Sequence, residues 1–254
     1  MCEVYAMATF VLVPGAWLGG WCWQKMTPRL RAAGHQVYTP TLTGLGERRH
    51  LGGPQIDLDT HLQDIVNVLE FEELRDVTLV GHSYGGFGVT GVADRAPERV
   101  RQVIYLDASV PEDGMSLFSG GPPAFKAMVE EAAREQGDGW GWPLPPPEVL
   151  GSFVSIAGID EEHLRWFYAK ATPHPVGTLR QPIRFSDATW KTVGRAYISC
   201  TAERTSESAR EMHARTSPDW GYGELATGHW PMFSMPAQTV ELLAELAEVR
   251  PGSA

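Results

Sequence analysis

The string Gly81-His82-Ser83-Tyr84-Gly85-Gly86 follows directly on the aliphatic run Val77-Thr78-Leu79-Val80 and precedes the small-residue segment Phe87 to Ala96. It fits G-x-S-x-G, in which glycines let the chain turn sharply from strand to helix and hold a serine in a strained, exposed position. Glycine is common here, at 27 residues, so the bare pattern is modest evidence and its setting carries the weight. Gly85, Gly86, Gly88 and Gly91 are poor choices for an isolated helix, yet they suit one packed closely against a sheet. The chain is thereby constrained toward a sheet whose strands feed helices.

The rest of the sequence agrees with that constraint. Thr9 to Val13, Gln36 to Tyr38, Val77 to Val80, Val103 to Leu106, Arg195 to Cys200 and Gly223 to Ala226 read as strands. Between them, Leu62, Ile65, Val66 and Leu69 repeat at helical spacing behind Thr60, with Gln63 completing an expected capping box. Val240, Leu243, Ala244 and Ala247 mark a second amphipathic helix behind Ser234 and Pro236. Alternating strands and helices imply right-handed crossovers, hence an α/β architecture with a doubly wound, mostly parallel sheet. The alternation stops over residues 111–182, where GGPP, WGWPLPPP and TPHP separate short helical pieces at Lys126 to Glu135 and Glu161 to Ala169. A structureless loop that long is uncommon, so an inserted helical cap on a single domain spanning 1–254 is expected.

Composition excludes several alternatives. The net charge of -10, from 21 basic and 31 acidic side chains, repels phosphate, and no basic stripe is present, so nucleic acid is not an expected partner. Cys2, Cys22 and Cys200 are odd in number and widely spaced, which is not a disulfide framework and points to a reducing cytoplasm. The opening residues lack a basic n-region, and Thr9 to Val13 is too short for a signal peptide or membrane span. None of the eight histidines has zinc-ligand spacing, so no metal or other cofactor is expected.

A serine hydroxyl is a weak nucleophile and needs a base with an orienting carboxylate, in the chain order Ser, acid, His for this kind of turn. His229, in Thr227-Gly228-His229-Trp230-Pro231, lies in a loop between the last strand and last helix, the place for the base. Two carboxylates could orient it. Glu203 follows the strand ending at Cys200 and Asp107 follows the strand ending at Leu106; both are C-terminal strand ends, where such sheets place their chemistry. The developing oxyanion needs two backbone donors. Tyr84 N–H, just after the serine, is one, and Ala16 N–H in Pro14-Gly15-Ala16-Trp17 is the expected other. That loop is not a nucleotide site, since Gly15, Gly19 and Gly20 do not make G-x-G-x-x-G.

These segments resemble the α/β-hydrolase superfamily, specifically the branch of plant methyl-ester esterases, hydroxynitrile lyases and bacterial pyrethroid-type carboxylesterases. The likeness runs through FVLVPGAWLGGWCW, AAGHQVYTPTLTGLGER, VTLVGHSYGG, ATPHPVGTLRQP, YISCTAER and GHWPM, nearly the whole chain. It implies an α/β-hydrolase fold with an inserted cap. The branch's pattern YIxCTxD puts the acid on Glu203, with Glu for the commoner Asp, and so ranks Glu203 first and Asp107 second. The lyases of the branch carry Thr where this chain has Gly15 and Lys where it has Trp230. The resemblance therefore implies an esterase forming an acyl-serine. A lyase or cyclase acting on an aromatic natural product is the alternative, and a small-molecule receptor on a hydrolase scaffold a further one.

The nine tryptophans then acquire a reading. Trp17 and Trp230 fall in the oxyanion and histidine loops, and Trp140, Trp142 and Trp166 in the cap, with Phe118 and Phe125 beside them in sequence. Together with Gly15 these are the expected lining of an apolar pocket for a hydrophobic ester. The sequence is compatible with a homodimer and does not specify one.

Overall fold

A computed structural model describes residues 7–186, 192–203 and 209–248. Eight strands occur among them: β1 Thr9–Val13, β2 Gln36–Tyr38, β3 Val77–His82, β4 Val100–Leu106, β5 Gly141–Trp142, β6 His174–Pro175, β7 Gly194–Cys200 and β8 Trp220–Leu225. Six form one sheet in the order β2-β1-β3-β4-β7-β8, every neighbouring pair parallel. This is the doubly wound, mostly parallel sheet expected from the alternating pattern. The central strands are aliphatic on both faces because helices cover both. Phe10, Val11, Leu12, Leu79, Val80, Val103 and Ile104 have no exposed surface, each apolar side chain contributing about 1.5–3 kcal/mol of transfer free energy.

The helix Leu58–Phe71 buries Leu58, Leu62, Ile65, Val66 and Leu69, with Leu62 and Ile65 lying over Gly91 and Gly88 of the helix Gly85–Arg95. The start of Leu58–Phe71 corrects one expectation. The cap is Asp57, not Thr60: Asp57 Oδ1 accepts from both Thr60 N–H (2.9 Å) and Thr60 Oγ1 (2.8 Å). Asp57 is in extended conformation and Thr60 already inside the first turn. An aspartate here also meets the positive end of the helix dipole. Gln63 makes no box and donates to Asn67 Oδ1 instead. The glycine-rich helix Gly85–Arg95 is buried along nearly its whole length. The helix Pro236–Glu248 buries the expected apolar face.

Between β4 and β7 the chain leaves the main sheet. It forms helices Leu117–Gly120, Pro123–Gln136, Pro147–Leu150, Glu161–Lys170 and Val176–Arg180, and the short antiparallel pair β5–β6, in which Trp142 faces His174. Val129, Ala133, Leu150, Phe167 and Leu179 supply buried apolar contacts within this insertion. It is tied down at two functionally placed loops: Thr172 N–H donates to Trp17 O (3.1 Å), and Ser155 O accepts from His229 N–H (2.8 Å).

Among the described residues no helix is long and apolar enough to cross a membrane, and no group of three or more metal-ligating side chains occurs. Cys22 and Cys200 are buried free thiols; Cys2 lies outside the described residues.

Candidate active site

The strand β3 ends in a turn that places Ser83 at φ +54°, a left-handed conformation in which a non-glycine residue is strained. Its own backbone N–H and C=O are both engaged. Ser83 N–H donates to Leu106 O (3.3 Å), and Ser83 O accepts from Gly86 N–H and Ser109 N–H, both at 3.1 Å. The turn closes only because its flanks are glycine: a Cβ on Gly81 would lie 2.6 Å from Gly85 O. The serine side chain is thus held on a rigid mount, half-buried. Its Oγ makes no hydrogen bond among the described residues, and contacts of this kind commonly tighten only when substrate is bound.

Directly after the neighbouring strand β4, Asp107 sits at φ +45°, a conformation Asp tolerates better than most residues. Its Oδ2 lies 2.6 Å from His229 Nδ1, and its Oδ1 accepts from Cys200 N–H at 3.1 Å. A carboxylate can only accept here, so His229 Nδ1 carries the proton and Nε2 keeps a free lone pair. The pair is nearly enclosed, with the side chains 12% and 9% exposed, which strengthens the interaction relative to water. Of the two carboxylates that the sequence offered, then, the imidazole meets Asp107 and not the first-ranked Glu203. Glu203 is exposed and lies three residues beyond the end of β7, at φ +55°, its Oε2 3.5 Å from Ser155 Oγ. The physical reason is register: β4 and β7 end side by side, and Cys200 N–H fixes the Asp107 carboxylate between the strand tips.

His82 connects the serine turn to the histidine loop, a role that sequence reasoning missed. Its Nε2 donates to His229 O at 2.7 Å, and the two rings lie 4.8 Å apart. Burial pushes the His82 imidazole down to about 3, with the nearby His229 adding to the effect, so it is neutral with Nδ1 unprotonated. The loop is also held by the insertion, where Gly228 N–H donates to Ala157 O (3.1 Å), and by Ala202 N–H, which donates to Thr227 O (3.0 Å).

The first loop approaches from the other side. A Cβ on Gly15 would stand 2.7 Å from His82 Nδ1 and 2.9 Å from Ser83 Cβ, so only glycine lets this loop lie against the serine. Neither Ala16 N–H nor Tyr84 N–H donates to another group among the described residues. Neither of the two N–H groups expected to serve as oxyanion donors is therefore taken up by a protein acceptor among the described residues.

Below Tyr84 lies a buried polar chain. His61 Nε2 faces Thr43 O at 2.8 Å and must donate to it, leaving His61 Nδ1 to accept from the Tyr84 hydroxyl at 3.0 Å. Burial lowers the His61 imidazole to about 4 and raises the Tyr84 phenol above its ordinary range. Thr43 is held in turn by Asp64, which also binds Arg48. The His174 ring, 4.5 Å from Tyr84, is likewise kept neutral by burial.

The aromatic residues expected to line a pocket separate into two groups. Trp17 packs on Trp142 at 4.3 Å, Trp142 on Phe125 at 5.6 Å, and Phe125 on Phe118 at 6.2 Å, with Phe153 joining them. This group runs from the loop after β1 into the insertion. Behind the histidine loop, Trp230 packs on His229 at 4.9 Å and on Phe167 at 5.3 Å. Trp166 belongs to this second group through Phe233 (5.4 Å) and Trp21 (4.8 Å). Trp140 joins neither ring cluster; its indole closes on Gly52.

The family model described as "Alpha/beta hydrolase family" matches residues 10–242. A carbendazim hydrolyzing esterase from Nocardioides sp. (strain SG-4G) is 37% identical over 251 residues, covering 94% of this chain and 100% of that one. Methylesterase 7 of Arabidopsis thaliana is 28% identical over 261 residues, covering 94% and 96%. Among solved structures, an extracellular alpha/beta-hydrolase from a Paenibacillus species aligns with a TM-score of 0.81 at 24% identity over 95% of this chain and 100% of that one. An Arabidopsis methylesterase aligns with a TM-score of 0.73 at 25% identity over 94% and 98%.

Proposed function

From a chain that belongs to the alpha/beta hydrolase family and is a hydrolase acting on ester bonds, we propose a serine carboxylesterase in which Ser83 is the nucleophile, His229 the base and Asp107 the acid. The observation that carries it is the 2.6 Å contact between His229 Nδ1 and Asp107 Oδ2. That contact fixes the tautomer in which Nε2 can take a proton.

In this reading the Ser83 hydroxyl proton passes to His229 Nε2 as Oγ attacks the ester carbonyl, and Asp107 stabilises the imidazolium. The carbonyl oxygen becomes an oxyanion held by Ala16 and Tyr84 N–H, each worth about 10²–10³ in kcat. Collapse expels the alcohol, which receives the proton from His229. Water, activated by the same imidazole, then hydrolyses the acyl-serine. No cofactor takes part in any step.

The insertion over 111–182 acts as a cap on a single domain, and the Trp142–Phe125–Phe118 group forms the apolar wall beside the oxyanion loop, with Trp17 packed on Trp142 and only 5% exposed. A hydrophobic small-molecule ester is the substrate class. The methylesterase relatives make methyl esters of aromatic acids the first compounds to try. A lyase is disfavoured because a hydroxyl-bearing side chain at position 15 would begin from a Cβ 2.7 Å from His82 Nδ1. A reducing compartment such as the cytoplasm suits the buried free thiols Cys22 and Cys200.

The test is a fluorophosphonate label and a p-nitrophenyl ester assay on the wild type and Ser83→Ala. Labelling of Ser83, with turnover lost in a folded Ser83→Ala, supports the reading. Undiminished turnover in that variant overturns it.

A further inference from the structure

Trp17 holds a backbone conformation that a bulky residue rarely adopts, at φ +65°. Such strain persists only where the surroundings over-determine it, and here three contacts do so. The indole Nε1–H donates to Trp142 O at 3.0 Å. The Trp17 carbonyl accepts from Thr172 N–H at 3.1 Å. The indole packs on the Trp142 ring at 4.3 Å, and Trp17 is only 5% exposed. Trp142 lies on β5, and Thr172 lies two residues before β6, so all three contacts come from the insertion. On the loop's other flank, Gly15 lies tightly against His82 and Ser83. Ala16 sits between these two clamps, one belonging to the sheet and one to the insertion.

Resting on the serine-esterase reading above, we propose that Trp17 is a positioning residue for the oxyanion hole: it sets the direction of the Ala16 N–H, and does so only while the β5–β6 pair is seated. The Ala16 N–H lies in the Gly15–Ala16 peptide, and its direction follows from where that short segment enters and leaves: Gly15 is fixed against His82 and Ser83, and the left-handed Trp17 fixes the exit. Releasing Trp17 toward ordinary backbone angles lets Ala16 rotate and turns its N–H away from the serine. The donor therefore depends on contacts supplied by the insertion, which ties transition-state stabilisation to the seating of the β5–β6 pair and leaves ground-state binding nearly untouched.

The test compares wild type with Trp17→Phe, which keeps an aromatic ring and removes the Nε1–H donor, and with Trp17→Leu, which keeps apolar bulk alone. Rates are normalised to the sites that titrate with a fluorophosphonate, so unfolded protein does not count. A donor displaced by about 1 Å can cost about 10²-fold. The expected result is a kcat loss of about 10–100-fold with KM changed by less than about threefold. A trifluoromethyl ketone analogue of the substrate, which binds as an oxyanion, should weaken in proportion to kcat, while the product acid binds as before. If kcat and analogue affinity stay within about twofold of wild type, or if KM and kcat/KM alone move, Trp17 is only a packing residue and the inference is overturned. If the wild-type enzyme does not label at Ser83 and Ser83→Ala retains turnover, the serine-esterase reading falls as well.

Discussion

His229 Nδ1 lies 2.6 Å from Asp107 Oδ2, while the other Asp107 oxygen is held by Cys200 N–H at 3.1 Å. Both carboxylate oxygens are engaged, so the imidazole is oriented by a group that is itself immobilised across two strand tips. Such support around a histidine–carboxylate pair fixes both tautomer and direction.

His82 extends that support to the backbone of the histidine loop through its Nε2 and His229 O, 2.7 Å apart. Replacing His82 with Phe keeps the ring volume and leaves His229 O without this donor. The expected outcome is a kcat loss of about 5–50-fold with Ser83 still labelled by fluorophosphonate, since a displaced base slows proton transfer without removing the nucleophile. Steady-state kinetics on the labelled fraction checks this; unchanged kcat would show that the loop holds itself.

Acid should unfold this protein through its buried histidines. His61 and His82 have folded-state values of about 4 and about 3, and His174 lies well below its ordinary value, all through burial. Unfolded, each titrates near 6.5, so between the two values the unfolded chain binds more protons. Stability is complete above about pH 6.5 and falls as pH drops toward the folded-state values, with a slope approaching about 1.4 kcal/mol per pH unit per histidine. Urea midpoints between pH 8 and pH 5 measure this slope. His174→Gln should reduce it by close to one proton; a slope indifferent to that change would contradict the assignment.

Gly15→Thr places a branched side chain where a Cβ already approaches His82 Nδ1 to 2.7 Å. Ester turnover should fall by more than about 10²-fold because the loop must retreat from Ser83. Cyanohydrin cleavage should not appear. Assaying both activities on one preparation decides the point, and a gain of lyase activity would show that the loop accommodates the hydroxyl.

The second aromatic group should matter for stability more than for substrate choice. Phe167 has no exposed surface and packs against Trp230 and Phe233 at 5.3 and 5.7 Å. Phe167→Ala should cost about 3–5 kcal/mol of folding stability with KM little changed, whereas Phe125→Ala, in the group beside the oxyanion loop, should raise KM for aromatic esters. Chemical denaturation and a panel of esters with varied acyl groups separate the two effects; equal KM changes would merge the clusters into one pocket.

Much of the sheet was legible because β-branched runs and Gly81-His82-Ser83-Tyr84-Gly85 are local signals, and each of those runs falls in a strand, although β4 and β8 begin three residues earlier than expected, at Val100 and Trp220. The start of the helix Leu58–Phe71 was misplaced by three residues because Asp57 competes with Thr60 for the same orphan N–H groups, and local spacing does not say which is extended. The carboxylate on His229 was less legible still. Asp107 and Glu203 both follow strands, and only the parallel register of β4 and β7 decides which tip faces the imidazole. His82 and His61 gave no signal beyond their residue type, since their roles depend on partners 147 and 18 residues away. Trp17 was singled out as pocket lining, and its left-handed backbone and its bond to Trp142 O required coordinates.

The most direct test of the account compares Asp107→Asn with Glu203→Gln under identical conditions, each normalised to fluorophosphonate-reactive sites. Asparagine offers His229 Nδ1 an amide that can present its donor and so favours the wrong tautomer, and kcat should fall by about 10³–10⁴-fold. Glu203→Gln, at an exposed side chain 3.5 Å from Ser155 Oγ, should stay within about tenfold of wild type. A large loss in Glu203→Gln beside a near-normal Asp107→Asn would contradict the account.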